Sequence, residues 1–466
     1  MRKIISSPAI VFSIIAVFFG SLIIVLTPPF AGGDEEAHFV RAYGISRGQL
    51  TVKRYEEVQI PQSYRKTIGC IQTSKPIPGQ LYKYDSTTYG SNKAESLKCA
   101  FALPLDRANS EGVITTASSY SPTTYIPQTV AILIGKVFNM PIVAMLYMMR
   151  ISVMIAYIAM IVVAIKLLPV RKWALVGIAL LPYSISHFAN PGGDYMLYGA
   201  ISIFIAVIVR SMYLAPAQLK KQSKWLLAIA SLAAIMMVLP KGMIPGILFL
   251  PLFWFYGGKK KYIWQKATVI ALAAVIAVLW QKAVGSDVME KPDSAPIAIL
   301  TFPFAFIKTM FYGWIGYDFL YNGSGGGGAA AIPSVIVTLV NAMIIMYLFV
   351  GYAKDTTKLN MSNLWRKLFG WSSIAVASLV VVASFAAIHI AASYMQNGDN
   401  IIRGVQIRYY YPALFMLAAI PFARVFITKE IIFRNVVIIG SCLSLAATVF
   451  VILLNYQWGM FGGLLG

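Results

Sequence analysis

The chain has 466 residues, 58% of them hydrophobic and only 12% charged, with a formal net charge of +22. Soluble domains carry about a quarter charged residues. Here the charges fall in short clusters between apolar runs of about 17 to 25 residues, the length that spans a hydrocarbon core. This excludes a soluble globular enzyme and assigns the basic excess to membrane orientation rather than to nucleic acid.

The first apolar run, about Ile10 to Leu26, follows Arg2-Lys3. It is longer than a typical signal core and lacks a clear small-x-small cleavage site, so residues 1–26 are expected to be an uncleaved first transmembrane helix. Further spans are expected near 141–168, 173–189, 195–213, 225–239, 242–256, 265–284, 332–353, 370–394, 408–426 and 433–454. The fold class is therefore all-α integral membrane, with about eleven transmembrane helices. Residues 27–140 form a large first loop, 141–284 carry helices 2–7, 285–331 a second, partly re-entrant loop, and 332–466 helices 8–11. Segments 126–138 and 296–312 are shorter or broken and read as re-entrant or interfacial. The one low-complexity stretch, Gly323 to Ala331, reads as a flexible loop.

With the N-terminus inside, the short basic loops all fall on one side, as the positive-inside rule demands. They contain Arg2-Lys3, Arg171-Lys172, Lys220-Lys221-Lys224, Lys259-Lys260-Lys261, Lys354-Lys358-Arg366-Lys367 and Lys429-Arg434. The long loop and the C-terminus then face outward. In an oxidising compartment Cys70 and Cys99 of that loop can pair, worth about 3 to 4 kcal/mol, or remain two thiols. Cys442 sits in an apolar run and is expected to be inert.

Chemistry concentrates in the outward loops. GGDEEAHFVRAYGISRG, Gly32 to Gly48, reads as a juxtamembrane helix over 34–47, with Asp34 as N-cap and Gly48 as stop. At helical spacing Asp34, His38 and Arg41 share one face, while Phe39, Val40 and Tyr43 are expected to rest on the membrane interface. Three consecutive acids at a membrane surface, Asp34, Glu35 and Glu36, point to function; the structural alternative is that they only cap and favour a helix N-terminus. SYSPTTYIPQ, Ser119 to Gln128, suggests a rigid aromatic wall. HFANPGGDYMLY, His187 to Tyr198, puts Asp194 at the mouth of a span, where an acid is costly unless it is paired or solvated. Lys241 and the stretch NGDNIIRGVQIRYYYP, with Arg403, Gln406, Arg408 and Tyr409, supply groups suited to phosphate; snorkelling to headgroups is the alternative. Nucleotide-binding fingerprints and metal-spaced Cys/His clusters are absent from the sequence.

Together, PPFAGGDEEAHFVRAYGISRG, YSPTTYIPQ, NPGGD and RGVQIRYYYP resemble a bacterial membrane family long catalogued as a domain of unknown function and grouped near the C-type glycosyltransferase (GT-C) superfamily. The resemblance covers most of the chain, in order. It implies a bacterial plasma-membrane enzyme with an extracytoplasmic site. Its donor would be a polyprenyl-phosphate-linked sugar, and its acceptor a cell-surface polysaccharide, wall polymer or lipid. It places the catalytic base on Asp34, with Glu35 or Glu36 as rival and His38 assisting. Arg41, Asp194, Lys241, Arg403, Gln406, Arg408 and Tyr409 would bind substrate or lipid phosphate. No cofactor is implied with certainty; a divalent metal remains open, since a clear DxD is missing from the loop that carries Asp194. The competing readings are a lipid-linked polysaccharide polymerase or ligase and a non-enzymatic flippase. A flippase wants mid-span charges, of which Arg150 is the main example.

Overall fold

A computed structural model of the chain describes residues 7–31, 34–53, 56–71, 96–118, 120–240, 244–257, 262–284, 341, 343–348, 351–353, 363–392, 410–420 and 426–456. The protein is mostly helical. Seven helices among the described residues are long and apolar enough to cross a membrane: Pro8–Leu26, Ile142–Leu167, Asp194–Tyr213, Pro216–Val238, Ile263–Val284, Leu364–Ala383 and Glu430–Phe450.

In chain order, α1 (Pro8–Leu26) is followed by α2 (Glu35–Ile45). Strand β1 (Glu57–Pro61) runs straight into α3 (Gln62–Ile71) and pairs antiparallel with β2 (Ser110–Ile114), Glu57 opposite Ile114 and Pro61 opposite Ser110. A short helix, α4, covers 96–102. A 3-10 turn, Pro122–Tyr125, leads into α5 (Ile126–Val137), which folds back along α6 (Ile142–Leu167). The β1–β2 pair is an addition to the all-α expectation. It arises because the long first loop builds a small core of its own rather than lying on lipid.

That core corrects one expectation. Phe39, Val40 and Tyr43 do not rest on the membrane interface; all three are buried, together with Phe30, Val58, Ile60, Tyr64 and Ile68. Phe39 stacks on Tyr64 at 5.6 Å between centroids, and Phe30 meets Phe39 edge-on at 5.8 Å. Aromatic surfaces of this size are satisfied better by rings at van der Waals distance than by a headgroup layer. Cys70 at the end of α3 and Cys99 in α4 are joined by a disulfide, with Cα atoms 5.7 Å apart.

Helix α6 belongs to both halves of the molecule. Its first two turns, Ile142 to Met149, pack in the loop core, and from Val153 onward it packs in the helical bundle. At the centre of the bundle lies α9 (Asp194–Tyr213), buried along nearly its whole length. A helix apolar on all sides is one surrounded by protein, and α9 contacts α6, α10 (Pro216–Val238) and α14 (Tyr411–Ala419).

Two expected spans are not continuous helices. Residues 173–189 break into α7 (Lys172–Ala179), α8 (Pro182–Ser186) and a 3-10 turn, His187–Ala189. Pro182 cannot donate to the preceding turn and clashes with it. Residues 242–256 become α11 (Ile244–Phe249) and a 3-10 stretch, Leu250–Phe255, with Pro251 at the junction. Leu175 to Leu181 are buried, and such broken backbone is tolerated at membrane depth where protein surrounds it.

The remaining elements are α12 (Ile263–Val284), β3 (Gly351–Ala353), α13 (Asn363–Ala392), α14, β4 (Phe426–Thr428) and α15 (Glu430–Tyr456). Strands β3 and β4 pair in parallel. The expected span at 408–426 is described as α14 with a following residue, then β4. Most of the span at 332–353, and the segments 296–312 and 323–331, lie outside the described residues. Arg171 ties the later elements to the bundle, donating to the carbonyls of Ala418 at 3.0 Å and Leu348 at 2.7 Å.

Candidate functional site

The acid run occupies the link between α1 and α2. When α1 ends at Leu26, its last carbonyls lose their helical partners, and Pro28 and Pro29 supply no N–H to the chain that follows. Arg150 of α6 fills the gap. Its Nη1 donates to the carbonyls of Ile24 at 3.0 Å and Thr27 at 2.8 Å, and its Nη2 donates to that of Pro28 at 2.8 Å. The rest of the guanidinium grips Glu35, with Nε on Oε1 at 2.7 Å and Nη2 on Oε2 at 2.8 Å. All five donors of the guanidinium are thereby engaged. Both side chains are completely buried.

Glu35 is thus fixed against α6, and the residue before it is turned the other way. Asp34 has φ 61° and ψ 9°, a left-handed conformation that Asp tolerates better than most residues. It stands at the N-cap position, but its side chain makes no capping hydrogen bond to α2, and the residue is exposed. The expected helix 34–47 is therefore Glu35–Ile45, and the capping role expected of Asp34 is not fulfilled. The expected stop is present: Gly48 has φ 90°, and the Gln49 N–H closes on the Gly44 carbonyl at 3.0 Å, the Schellman pattern.

One turn into α2, His38 is buried and shares a 2.6 Å hydrogen bond between its Nδ1 and the Tyr125 hydroxyl. Tyr120 meets the imidazole edge-on at 5.3 Å. The aromatic wall expected of SYSPTTYIPQ is real, and His38 is what it packs against. The NPGGD stretch closes the third side. A Cβ on Gly192 would come within 2.8 Å of His38 Nε2, and one on Gly193 would run into Thr124 and Tyr120. Gln128, fully buried, donates through Nε2 to the carbonyls of Pro191 at 3.0 Å and Gly192 at 3.4 Å. Tyr195 donates its hydroxyl to the Thr124 carbonyl at 2.9 Å.

Asp194 opens α9 directly after these glycines and is half-buried. Burial pushes the Tyr125 phenol well above its ordinary range; Arg41 works against that shift, while Asp194, Tyr195 and Asp34 add to it. Asp34 and Asp194, 160 positions apart by their numbers, thus both act electrostatically on one buried phenol, which stays protonated.

Arg41 also acts on that phenol through its charge, but its guanidinium is bonded elsewhere. It is completely buried and donates to backbone carbonyls: Nη1 to Gln49 at 3.0 Å, and Nη2 to Leu50 at 2.7 Å and Tyr120 at 3.1 Å. Its environment suits a clamp on the loop after α2 rather than a phosphate ligand. Glu36 is buried within α2. Lys241, Arg403, Gln406, Arg408 and Tyr409 lie outside the described residues. The end of their motif is described: Tyr411 packs at 4.7 Å from Tyr183 and 5.8 Å from Tyr198, with His187 between them at 4.7 Å from Tyr183 and 5.6 Å from Tyr198. The fourth motif therefore reaches the same end of α9 as the second.

Among the described residues, His, Cys, Asp and Glu side chains do not gather in threes as a metal site would need. The contacts here that sequence reading did not single out are Arg150 as the partner of Glu35, and Tyr125 and Gln128 as the links between loops. Only the density of Tyr, Pro and Gln in SYSPTTYIPQ hinted at the latter.

Among the described residues, seven helices long and apolar enough to cross a membrane, with loop motifs that meet near the start of α9, define a polytopic membrane protein. Residues 17–417 match the family described as predicted membrane protein DUF2142, and the chain belongs to that family. Neither a curated protein nor a solved structure matches it.

Proposed function

We propose that the protein is a GT-C-type glycosyltransferase of the bacterial plasma membrane. In this reading it moves a sugar from a polyprenyl-phosphate donor to an extracytoplasmic acceptor, a surface polysaccharide, wall polymer or lipid. The reading takes about eleven crossings, counting the broken segments at 172–189 and 244–255, with the N-terminus inside and the long loop and C-terminus outside. The observation that carries it is the sorting of the acid run. Glu35 is spent on Arg150, Glu36 is buried, and Asp34 is exposed in a strained conformation, its charge and that of Asp194 both acting on Tyr125, the partner of His38. Strain of this kind persists where the surrounding structure holds it, and it clusters at functional sites.

Asp34 then serves as general base. It takes the proton of the acceptor hydroxyl as that oxygen attacks the anomeric carbon, and the bond from that carbon to the polyprenyl phosphate breaks. Single displacement inverts the anomeric configuration. His38, held by Tyr125, and Asp194 orient the acceptor. Arg403, Arg408 and Lys241 would stabilise the phosphate as it leaves. No step passes through a metal. The flippase alternative loses its main support, because Arg150 lines no path: every donor it has is engaged within the fold.

The test supplies radiolabelled polyprenyl-phosphate sugars, with membrane extract from cells lacking the protein, to the purified chain. Asp34→Asn is expected to cut transfer about 10²- to 10⁴-fold while leaving thermal unfolding nearly unchanged. Full activity in a folded Asp34→Asn variant would remove Asp34 from the mechanism. Labelled lipid that instead crosses proteoliposome bilayers unaltered would favour the flippase.

A further inference from the structure

Helix α5 has two different faces. Gln128, Ala131, Ile132 and Gly135 are buried, the last so closely that an added Cβ would meet Met145 Cγ of α6 at 2.5 Å. The other face carries Ile126, Val130, Leu133, Ile134 and Val137, with Phe138 just beyond the helix; all are exposed. Their spacing of three and four makes one continuous apolar stripe. On a water-exposed loop such a stripe would be a liability; beside a transmembrane helix it is a lipid-facing surface. The length of α6 agrees: 26 residues rise about 39 Å, enough to reach from one headgroup layer to the other.

Cations collect where the stripe ends. Lys136, in the last turn of α5, donates to Ser46 Oγ at 2.5 Å and sits 4.1 Å over the Tyr43 ring. Arg47 follows Ser46 directly, and both Arg47 and Arg107 are exposed. Burial, then the charges of Arg47 and Arg107, lower Lys136 to about 8, and the same two arginines act on the Tyr43 phenol. Lys136 is thus bonded to the residue next to Arg47, and Arg107, on a third segment, adds its charge at the same end of the helix. The acid next to Arg107, Asp106, is engaged by the backbone and side chain of Asn109.

We propose that this end of α5 docks an anionic glycerophospholipid of the bilayer, its phosphate between Lys136, Arg47 and Arg107 and an acyl chain along the Ile126–Val137 stripe. Apolar chain and anionic head are matched by one helix face and its end, and basic residues at the end of an apolar helix face are a known arrangement for such lipids. The occupant is a bulk lipid rather than the sugar donor. Arg47 and Asp34 lie at opposite ends of α2, whose 11 residues span about 16 Å, too far for a donor phosphate one sugar away from Asp34. The exclusion of the sugar donor rests on the transferase reading; the lipid site itself does not.

The experiment titrates phosphatidylglycerol into the detergent-purified full chain and follows bound lipid by native mass spectrometry, with phosphatidylcholine as comparison. Phosphatidylglycerol is expected to bind more tightly, and Arg47→Gln and Arg107→Gln, both at exposed positions, are each expected to weaken it about fivefold. Unchanged affinity in both variants would overturn the proposal. So would glycerol phosphate binding as tightly as the lipid, or the variants losing a polyprenyl phosphate while keeping phosphatidylglycerol. A dimer that disperses on Val130→Asn, with lipid binding unaltered, would assign the stripe to a second copy of the chain.

Discussion

Arg150 shows how much one side chain decides. It joins the end of α1, the start of α2 and the third turn of α6, and it holds Glu35 of the acid run in a completely buried ion pair. Removing one partner of a buried pair leaves the other charge uncompensated, which costs about 3 to 5 kcal/mol. Glu35→Gln and Arg150→Met are therefore each expected to lower the unfolding temperature in detergent sharply. Replacing both, Glu35→Leu with Arg150→Met, is expected to recover only part of the loss. Apolar substitution can offset the lost ion pair, but the carbonyls of Ile24, Thr27 and Pro28 would still lack a donor. Full recovery would show that those carbonyl contacts carry no weight. The contrast with Asp34→Asn, expected to fold normally and fail in transfer, separates the acid that builds the site from the acid proposed to act in it.

At the scale of elements, two glycines of the first loop make opposite predictions. Gly48 ends α2 at φ 90° with open space around its Cβ position, so only the backbone resists a side chain there. Gly48→Ala is expected to cost about 1 to 2 kcal/mol, the penalty of a left-handed residue. Gly69 lies in α3, exposed, with ordinary φ and no atom near its Cβ position. Gly69→Ala is expected to stabilise by about 0.5 to 1 kcal/mol through helix propensity. Thermal unfolding of the two variants side by side checks both signs; equal shifts would contradict the assigned end of α2. The stop at Gly48 was readable in the sequence because Gly is the usual residue there. The burial of Phe39, Val40 and Tyr43 was not, because an apolar helix face looks the same whether it meets lipid or a strand such as β1, 12 or more residues further on.

For the whole molecule, the positive-inside pattern predicts an orientation that labelling can test. In a Cys442→Ser background, Lys53→Cys is expected to react with an impermeant maleimide on intact cells, and Lys220→Cys only after permeabilisation; both positions are exposed. The reverse result would put the proposed site on the cytoplasmic side, away from polyprenyl-phosphate sugars on the outer face. At this scale the sequence is most legible for long, uniformly apolar helices. It is least so for 173–189 and 242–256, where composition satisfies a span but Pro182 and Pro251 break the helix.

Composition, the spacing of apolar runs and the placement of Lys and Arg by themselves determined a multi-span membrane protein with a large first loop. These properties are local: transfer of each segment into lipid depends on its own residues. Only the tertiary structure decided which acid is anchored and which exposed, that His38 answers to Tyr125 across 87 positions, and that NPGGD packs on His38 and Tyr120. A buried polar group must find its partner wherever the fold delivers one, and sequence distance carries no record of that choice.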